Sequence, residues 1–373
     1  MLMWSIILGS LLVITGISLF YVSLCVAGFP FVRKFSKSSE KRRKIIGLTT
    51  VCCIFTILCL TLNVMNAAVC LIHFAVFFLL CGFAFKAIQK ITKKEFKRNY
   101  ADTTAVFLSL LTLSAGWYLN HHVFTTHYVV ETEKKVKDLR VVFFADSHIG
   151  TTFDGEKFAE HVKKMQTFSP DIVFVVGDFV DDDTTKRDMI AASKALSALE
   201  TTYGVYFVFG NHDEGYHDAH KRGFTKADLI KELQKNNVSV LQDDIVFLDD
   251  AFAVIGRKDV SENHRRRTRL PMKELVKNTD ERIFSIVLDH QPNDYDNQEK
   301  AKVDLVLSGH THGGQLFPLT KVGEWIGAND KTYGLERRSE TNFIVTSGIS
   351  DWTLKFKTGA KSEFVIVDIK QKN

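Results

Sequence analysis

Hydrophobicity is segregated along this chain, and that segregation limits the fold more than any single motif does. Four apolar blocks, residues 4–27, 45–63, 67–85 and 101–122, fall within the first 122 of 373 residues. The rest reads as a soluble protein. About 20 apolar residues suffice to cross a bilayer. The first block has no Lys or Arg before it and is too long for the apolar core of a signal peptide, so it reads as a span. The fourth block is the most polar, with Ser and Thr mixed into its core at 105–119. His73 is the one ionisable residue well inside a block, which suits an anchor better than a transport path.

The formal charge of +5 has a local origin. Thirteen of the 48 basic residues lie in two stretches, 31–45 and 86–99, leaving residues 103–373 with 35 basic and 40 acidic groups. The positive charge therefore flanks membrane segments and gives no nucleic-acid face. Four spans with both basic loops in the cytoplasm satisfy the positive-inside rule and place everything after His122 outside the cytoplasm. Without the fourth span, the soluble part moves to the cytoplasmic side. All six cysteines lie at or before Cys81, so the soluble part has neither a disulfide nor a thiolate metal site.

The expected organisation is a membrane anchor at 1–122, a charged connector at 123–139 and a soluble domain at 140–373. In the soluble domain, apolar β-branched and aromatic runs alternate with helical patterns. Strands are expected at 140–145, 172–176, 206–209, 252–255, 284–288, 305–307, 343–346 and 364–369, and helices at 156–168, 184–200, 225–236 and 272–277. Several runs are continuously apolar, as in sheets covered on both faces, so the fold class is layered α/β.

Five strand ends carry Asp, Asn or His. These are Asp146-Ser147-His148, Gly177-Asp178-Phe179-Val180-Asp181, Gly210-Asn211-His212-Asp213, Asp289-His290 and Gly309-His310-Thr311-His312. Ligands bind beyond the carboxyl ends of strands in open α/β sheets. One such cluster is usually just a turn. Five of them, all oxygen or imidazole in type, would repel one another without divalent cations.

These motifs resemble those of the calcineurin-like metallophosphoesterases, over roughly residues 141–368. The string from Gly309 to Gln315 is similar to the bacterial membrane-anchored branch, which includes UDP-2,3-diacylglucosamine pyrophosphatase-type enzymes. The resemblance implies a four-layer α-β-β-α sandwich, here preceded by an all-α transmembrane bundle of about four helices. It implies two divalent ions. One would be held by Asp146, His148, Asp178 and His312, the other by Asp178, Asn211, His290 and His310, with Asp178 bridging. A hydroxide between the ions would attack a phosphodiester or pyrophosphate. His212 would protonate the leaving oxygen, with Asp181 on its other ring nitrogen; Asp181 also suits a helix N-cap. Ligands without sulfur favour manganese, with iron or zinc possible. A phosphomonoesterase and a non-catalytic membrane sensor are the alternatives. Arg257 and the run Arg265–Arg269 are candidate phosphate clamps for a lipid-linked substrate, although a charge run is more often a solvated face. His217 and His220 read as a surface loop near the mouth.

Overall fold

The computed structural model describes residues 2–37, 39–96, 98–216, 222–264 and 268–372. The chain divides into two units. The first holds residues 1–118 with Thr353–Phe356, and the second holds Leu119–Trp352 with Lys357–Asn373.

The first unit is helical: α1 (Leu2–Ala27), α2 (Pro30–Phe35), α3 (Glu40–Thr61), α4 (Val64–Thr92) and most of α5 (Arg98–His121). Its interior is a cluster of Val22, Cys25, Val51, Leu71, Phe78 and Ala105. Three segments among the described residues are long and apolar enough to cross a membrane: Gly9–Ala27, Glu40–Thr61 and Val64–Thr92. The count is three rather than the four expected. The fourth block does form a helix, of 24 residues, but Asp102, Asn120 and several Ser and Thr dilute its apolarity. The inner face of α5 carries Ala101, Asp102, Ala105 and Ser109, all buried, while Phe107, Leu110, Leu111 and Tyr118 point outward and are more than half exposed. His73 in α4 is half-buried and bonds the carbonyl of Val69 one turn back in the same helix, at 2.8 Å.

The second unit holds two six-stranded sheets. The first sheet contains β1 (Phe124–Thr132), β2 (Leu139–Phe144), β3 (Ile172–Val176), β4 (Val205–Val208), β5 (Val238–Leu241) and the last strand, β12 (Glu363–Gln371), in the order β1-β12-β2-β3-β4-β5. The second contains β6 (Asp244–Leu248), β7 (Phe252–Gly256), β8 (Phe284–Leu288), β9 (Leu305–Ser308), β10 (Gly334–Arg338) and β11 (Thr341–Val345), in the order β10-β11-β9-β8-β7-β6. Strands β2 to β5 pair in parallel, as do β7, β8, β9 and β11.

Alternation along each strand builds the layers. In β2, Val141 and Phe143 join Phe174, Val208, Phe284, Ile286 and Leu307 between the sheets. Val142 and Phe144 face the other way, onto α6 (Gly155–Gln166), α7 (Lys186–Leu196) and α8 (Lys226–Lys235) through Phe158, Met189 and Leu229. On the outer face of the second sheet, Val287 and Phe343 meet Met272, Leu275 and Tyr295 from short helical turns. This is the expected four-layer α/β sandwich. Each large side chain buried in it contributes about 1.5–3 kcal/mol.

Residues 123–139, expected as a connector, largely form β1. Its edge position and polar run, Thr125-Thr126-His127-Tyr128 before Val129 and Val130, give it the sequence pattern of a linker. It pairs in parallel with β12 over nine residues.

Candidate metal centre

Parallel strands bring their carboxyl ends to one edge, and the five polar clusters lie there. Asp146 and His148 follow β2, Asp178 and Asp181 follow β3, and Asn211 and His212 follow β4. His290 follows β8, while His310 and His312 follow β9. The chain must turn its side chains inward abruptly at these points. Asp146, His148, Asp178, His310 and His312 accordingly have left-handed backbones, with φ of 56°, 37°, 51°, 70° and 47°. Such conformations cost on the order of 1–3 kcal/mol each and persist only where the surroundings enforce them.

The surroundings are visible. The buried carboxylate of Asp213 accepts four backbone N–H groups, from Asp178 (2.9 Å), Phe179 (2.8 Å), Val180 (3.0 Å) and Gly210 (2.7 Å). It ties the β3 and β4 ends together. His310 N donates to both oxygens of Asp146 at 3.0 Å, and His212 N to Asp178 Oδ1 at 2.8 Å. Gly177 permits the close packing: with φ +79°, a Cβ there would lie 2.5 Å from His290 Nδ1.

Among the described residues, two groups of donors result. Asp146, His148 and His312 offer atoms all within 4.8 Å of one another, and so do Asp178, His290 and His310. The groups adjoin: Asp178 Oδ2 lies 3.1 Å from His290 Nε2 and 3.8 Å from His148 Nε2. Neither ring nitrogen makes a hydrogen bond, though both are buried. Buried imidazole nitrogens aimed at a shared carboxylate, with no sulfur among the donors, fit a pair of divalent cations.

Electrostatics agree. Burial pushes the Asp146 carboxyl up to about 6. Burial opposes protonation of His148, yet Asp181, Asp178 and Asp146 outweigh it and raise its pKa to about 9. Burial, aided by the charge of His290, holds His310 down to about 4. So dense a buried cluster of carboxylates and imidazoles suits divalent cations, whose charge compensates the carboxylates and takes the place of protons on the imidazoles.

Several expected roles change. Asp181 Oδ2 meets His148 Nδ1 at 3.1 Å, so it backs an imidazole of the first group rather than His212. Nor does Asp181 cap a helix: Thr185 caps α7, while Asp181 Oδ1 accepts from Asp183 N at 2.8 Å. Arg257 is buried and bonded to Asp289 (2.8 Å) and Asp294 (2.7 Å), and Arg269 also reaches Asp289. These arginines brace the residue preceding His290 and are not phosphate clamps. Arg265, Arg266, Arg267, His217 and His220 lie outside the described residues.

Asn211, just before His212, donates its amide to Tyr216 Oη at 2.8 Å. The His212 ring lies 5.0 Å from that of His148, 5.0 Å from Tyr216 and 6.0 Å from Trp352. Sequence reading gave no role to Tyr216 or to Asp351, whose Oδ1 lies 3.6 Å from His312 Nδ1. A tyrosine four residues past a Gly-Asn-His turn and a lone aspartate belong to no spacing pattern.

A family model described as calcineurin-like phosphoesterase matches residues 139–314. An uncharacterized metallophosphoesterase of Aquifex aeolicus is 31% identical over 253 residues, covering 66% of this chain and 91% of that one. One from Campylobacter jejuni is 31% identical over 247 residues, covering 65% and 62%. A transmembrane protein with metallophosphoesterase domain from Danio rerio is 30% identical over 254 residues, covering 65% and 56%. The chain thus spans somewhat over half the length of the Campylobacter and Danio relatives.

Proposed function

The chain belongs to the calcineurin-like metallophosphoesterase family, and from that premise we propose that it hydrolyses a phosphodiester or pyrophosphate at a membrane surface. The observation that carries the reading is the pair of adjoining donor groups around Asp178. Asp146, His148 and His312 would hold one cation, and His290, His310 and Asn211 the other, with Asp178 between them. When bound, two such ions polarise the phosphoryl group and acidify the attacking water. Manganese, iron and zinc all suit these donors, and manganese is the first to try.

The remaining residues orient and move protons. Asp213 fixes the turn that presents Asp178, and Asp181 fixes the ring of His148. His212 lies outside both donor groups and is walled by Tyr216 and Trp352. It is the group suited to protonate the departing oxygen.

The apolar helices make this a membrane protein. We place the catalytic unit outside the cytoplasm. That placement requires α5 to cross along with the three more apolar helices. Its length of 24 residues gives about 36 Å, and Ala101, Asp102, Ala105 and Ser109 are buried while Phe107, Leu110 and Leu111 are exposed, as in bundled membrane helices. Strand β1 begins three residues after α5 ends, so the tether between the helices and the catalytic unit is short. Tethering raises the effective concentration of substrates in the same plane, which favours a lipid-linked phosphodiester.

The test is a panel of a phosphomonoester, a soluble diester, a pyrophosphate and a lipid-linked diester, given to full-length protein in bilayers with added Mn²⁺. Highest kcat/KM is expected on the lipid-linked diester. A monoester preference would replace the diester reading, and no turnover on any member would reject hydrolysis of these classes.

A further inference from the structure

The imidazoles of the two donor groups are backed unequally. His290 Nδ1 meets a neutral backbone carbonyl, that of Val176, at 2.8 Å. His148 Nδ1 meets a carboxylate, Asp181, at 3.1 Å. His312 Nδ1 is buried, makes no hydrogen bond, and has the carboxylate of Asp351 3.6 Å away.

Asp351 is built into place. It is fully buried. Gln315 Nε2 donates to its Oδ2, and Trp352 N to its Oδ1 at 3.1 Å. The preceding loop is locked as well. The buried ammonium of Lys357 donates to the carbonyls of Ser347 (2.7 Å) and Ser350 (2.9 Å). Ile349 N reaches Ala145 O at 3.0 Å, and Ser350 N reaches Asp146 O at 3.2 Å. The segment carrying Asp351 is thereby pinned to the strand end that carries Asp146.

We infer that Asp351 is a positioning residue for His312. Its negative charge, 3.6 Å from Nδ1 and without a hydrogen bond, favours the tautomer protonated there, which leaves Nε2, 3.8 Å from Asp146 Oδ1, as the stronger donor to a cation. Carboxylates behind metal-binding histidines act in this way. With Asp181 behind His148, both imidazoles of the Asp146 group are then carboxylate-backed, whereas His290 of the other group is not. The inference rests on reading Asp146, His148 and His312 as one cation site. A purely structural Asp351, serving only as counter-charge to Lys357, would leave cation affinity untouched wherever the fold survives.

The experiment is calorimetric titration of Mn²⁺ into metal-stripped, full-length protein in nanodiscs, comparing wild type with Asp351→Asn and Asp351→Ala. The melting temperature of each metal-free protein is measured alongside. Wild type should take up two ions. In Asp351→Ala one site should weaken about 10–100-fold, and the other should not change. Asp351→Asn, which retains a neutral acceptor, should lose less. The metal-free Asp351→Asn protein should melt with wild type. Unchanged affinity at both sites overturns the inference. Weakening of both sites together with a lowered melting temperature also overturns it, because a structural role predicts that result. If the Ala variant fails to fold, Gln315→Leu, which releases Oδ2, must weaken the same site; full affinity there is equally decisive against it. Wild type that binds no Mn²⁺ is a separate result, against the cation site itself.

Discussion

Replacing Asp213 by Asn tests whether the centre is held together by a residue that touches no cation. Each carboxylate oxygen accepts two backbone N–H groups: Oδ1 from Phe179 and Val180, Oδ2 from Asp178 and Gly210. An amide retains one accepting oxygen and turns an NH₂ toward the other two donors. Two buried N–H groups lose their acceptor, each at about 1–3 kcal/mol. A total near 4 kcal/mol, at about 2–4 °C per kcal/mol for a unit of this size, lowers the melting temperature by roughly 8–16 °C. Because Asp178 lies on the released turn, bound manganese should also fall below two ions per chain. The assay is thermal unfolding by intrinsic fluorescence, with metal content measured on the same sample. Melting within about 2 °C of wild type, with two ions retained, would refute the reasoning.

Asp178→Asn should abolish turnover and reduce bound metal at both sites, because one carboxylate serves both groups; full activity after exhaustive chelation would remove the premise. His212→Ala should lower kcat by about 10²–10⁴-fold while leaving the metal content unchanged; loss of an ion would mean that His212 is a ligand. Lys137→Cys, at an exposed position in a chain whose native cysteines are replaced, should react with an impermeant thiol reagent on intact cells, and labelling only after lysis would put the catalytic unit in the cytoplasm. Asp368 is held below the usual carboxylate range by its forked bond from Arg140, which outweighs burial. The pair's contribution, under about 1 kcal/mol for a partly exposed pair, is complete above the unfolded carboxylate pKa of about 3.9. It is lost as pH falls through the lower folded value, so Asp368→Asn should flatten melting temperature against pH only in that acid range.

The continuous apolar runs of β3 and β8 were legible because a strand buried on both faces needs no polar residue, and their bounds match at Ile172–Val176 and Phe284–Leu288. Parallel pairing then sends every polar strand end to one edge, which is why residues as distant as Asp146 and His312 come together. Edge strands were hidden: β1 and β10 alternate or are largely polar, with one side open to solvent. The partner of Asp181 is not legible in the sequence, because ring direction depends on the left-handed turn at His148, a tertiary outcome. The setting of Arg257 is hidden for a related reason. A solvated arginine and one buried against Asp289 and Asp294 are the same letter, and only the packing of β7 against β8 separates them.

The place of β1 at the border of its sheet bears on how a soluble fragment should be cut. A fragment beginning at Arg140, where the strongest sequence signal starts, would strip β1 from β12 and open one edge of Glu363–Gln371 over nine residues, although β2 would still pair its other edge. Five of those residues, Phe364 to Val367 and Ile369, are fully buried apolar groups. A raw apolar edge of that length is a template for strand addition between molecules. Such a fragment is expected to aggregate even with every donor to the centre intact. The cut belongs before Phe124, and better before Leu119, because Ser362 bonds the carbonyls of Leu119 and Asn120 at the end of α5.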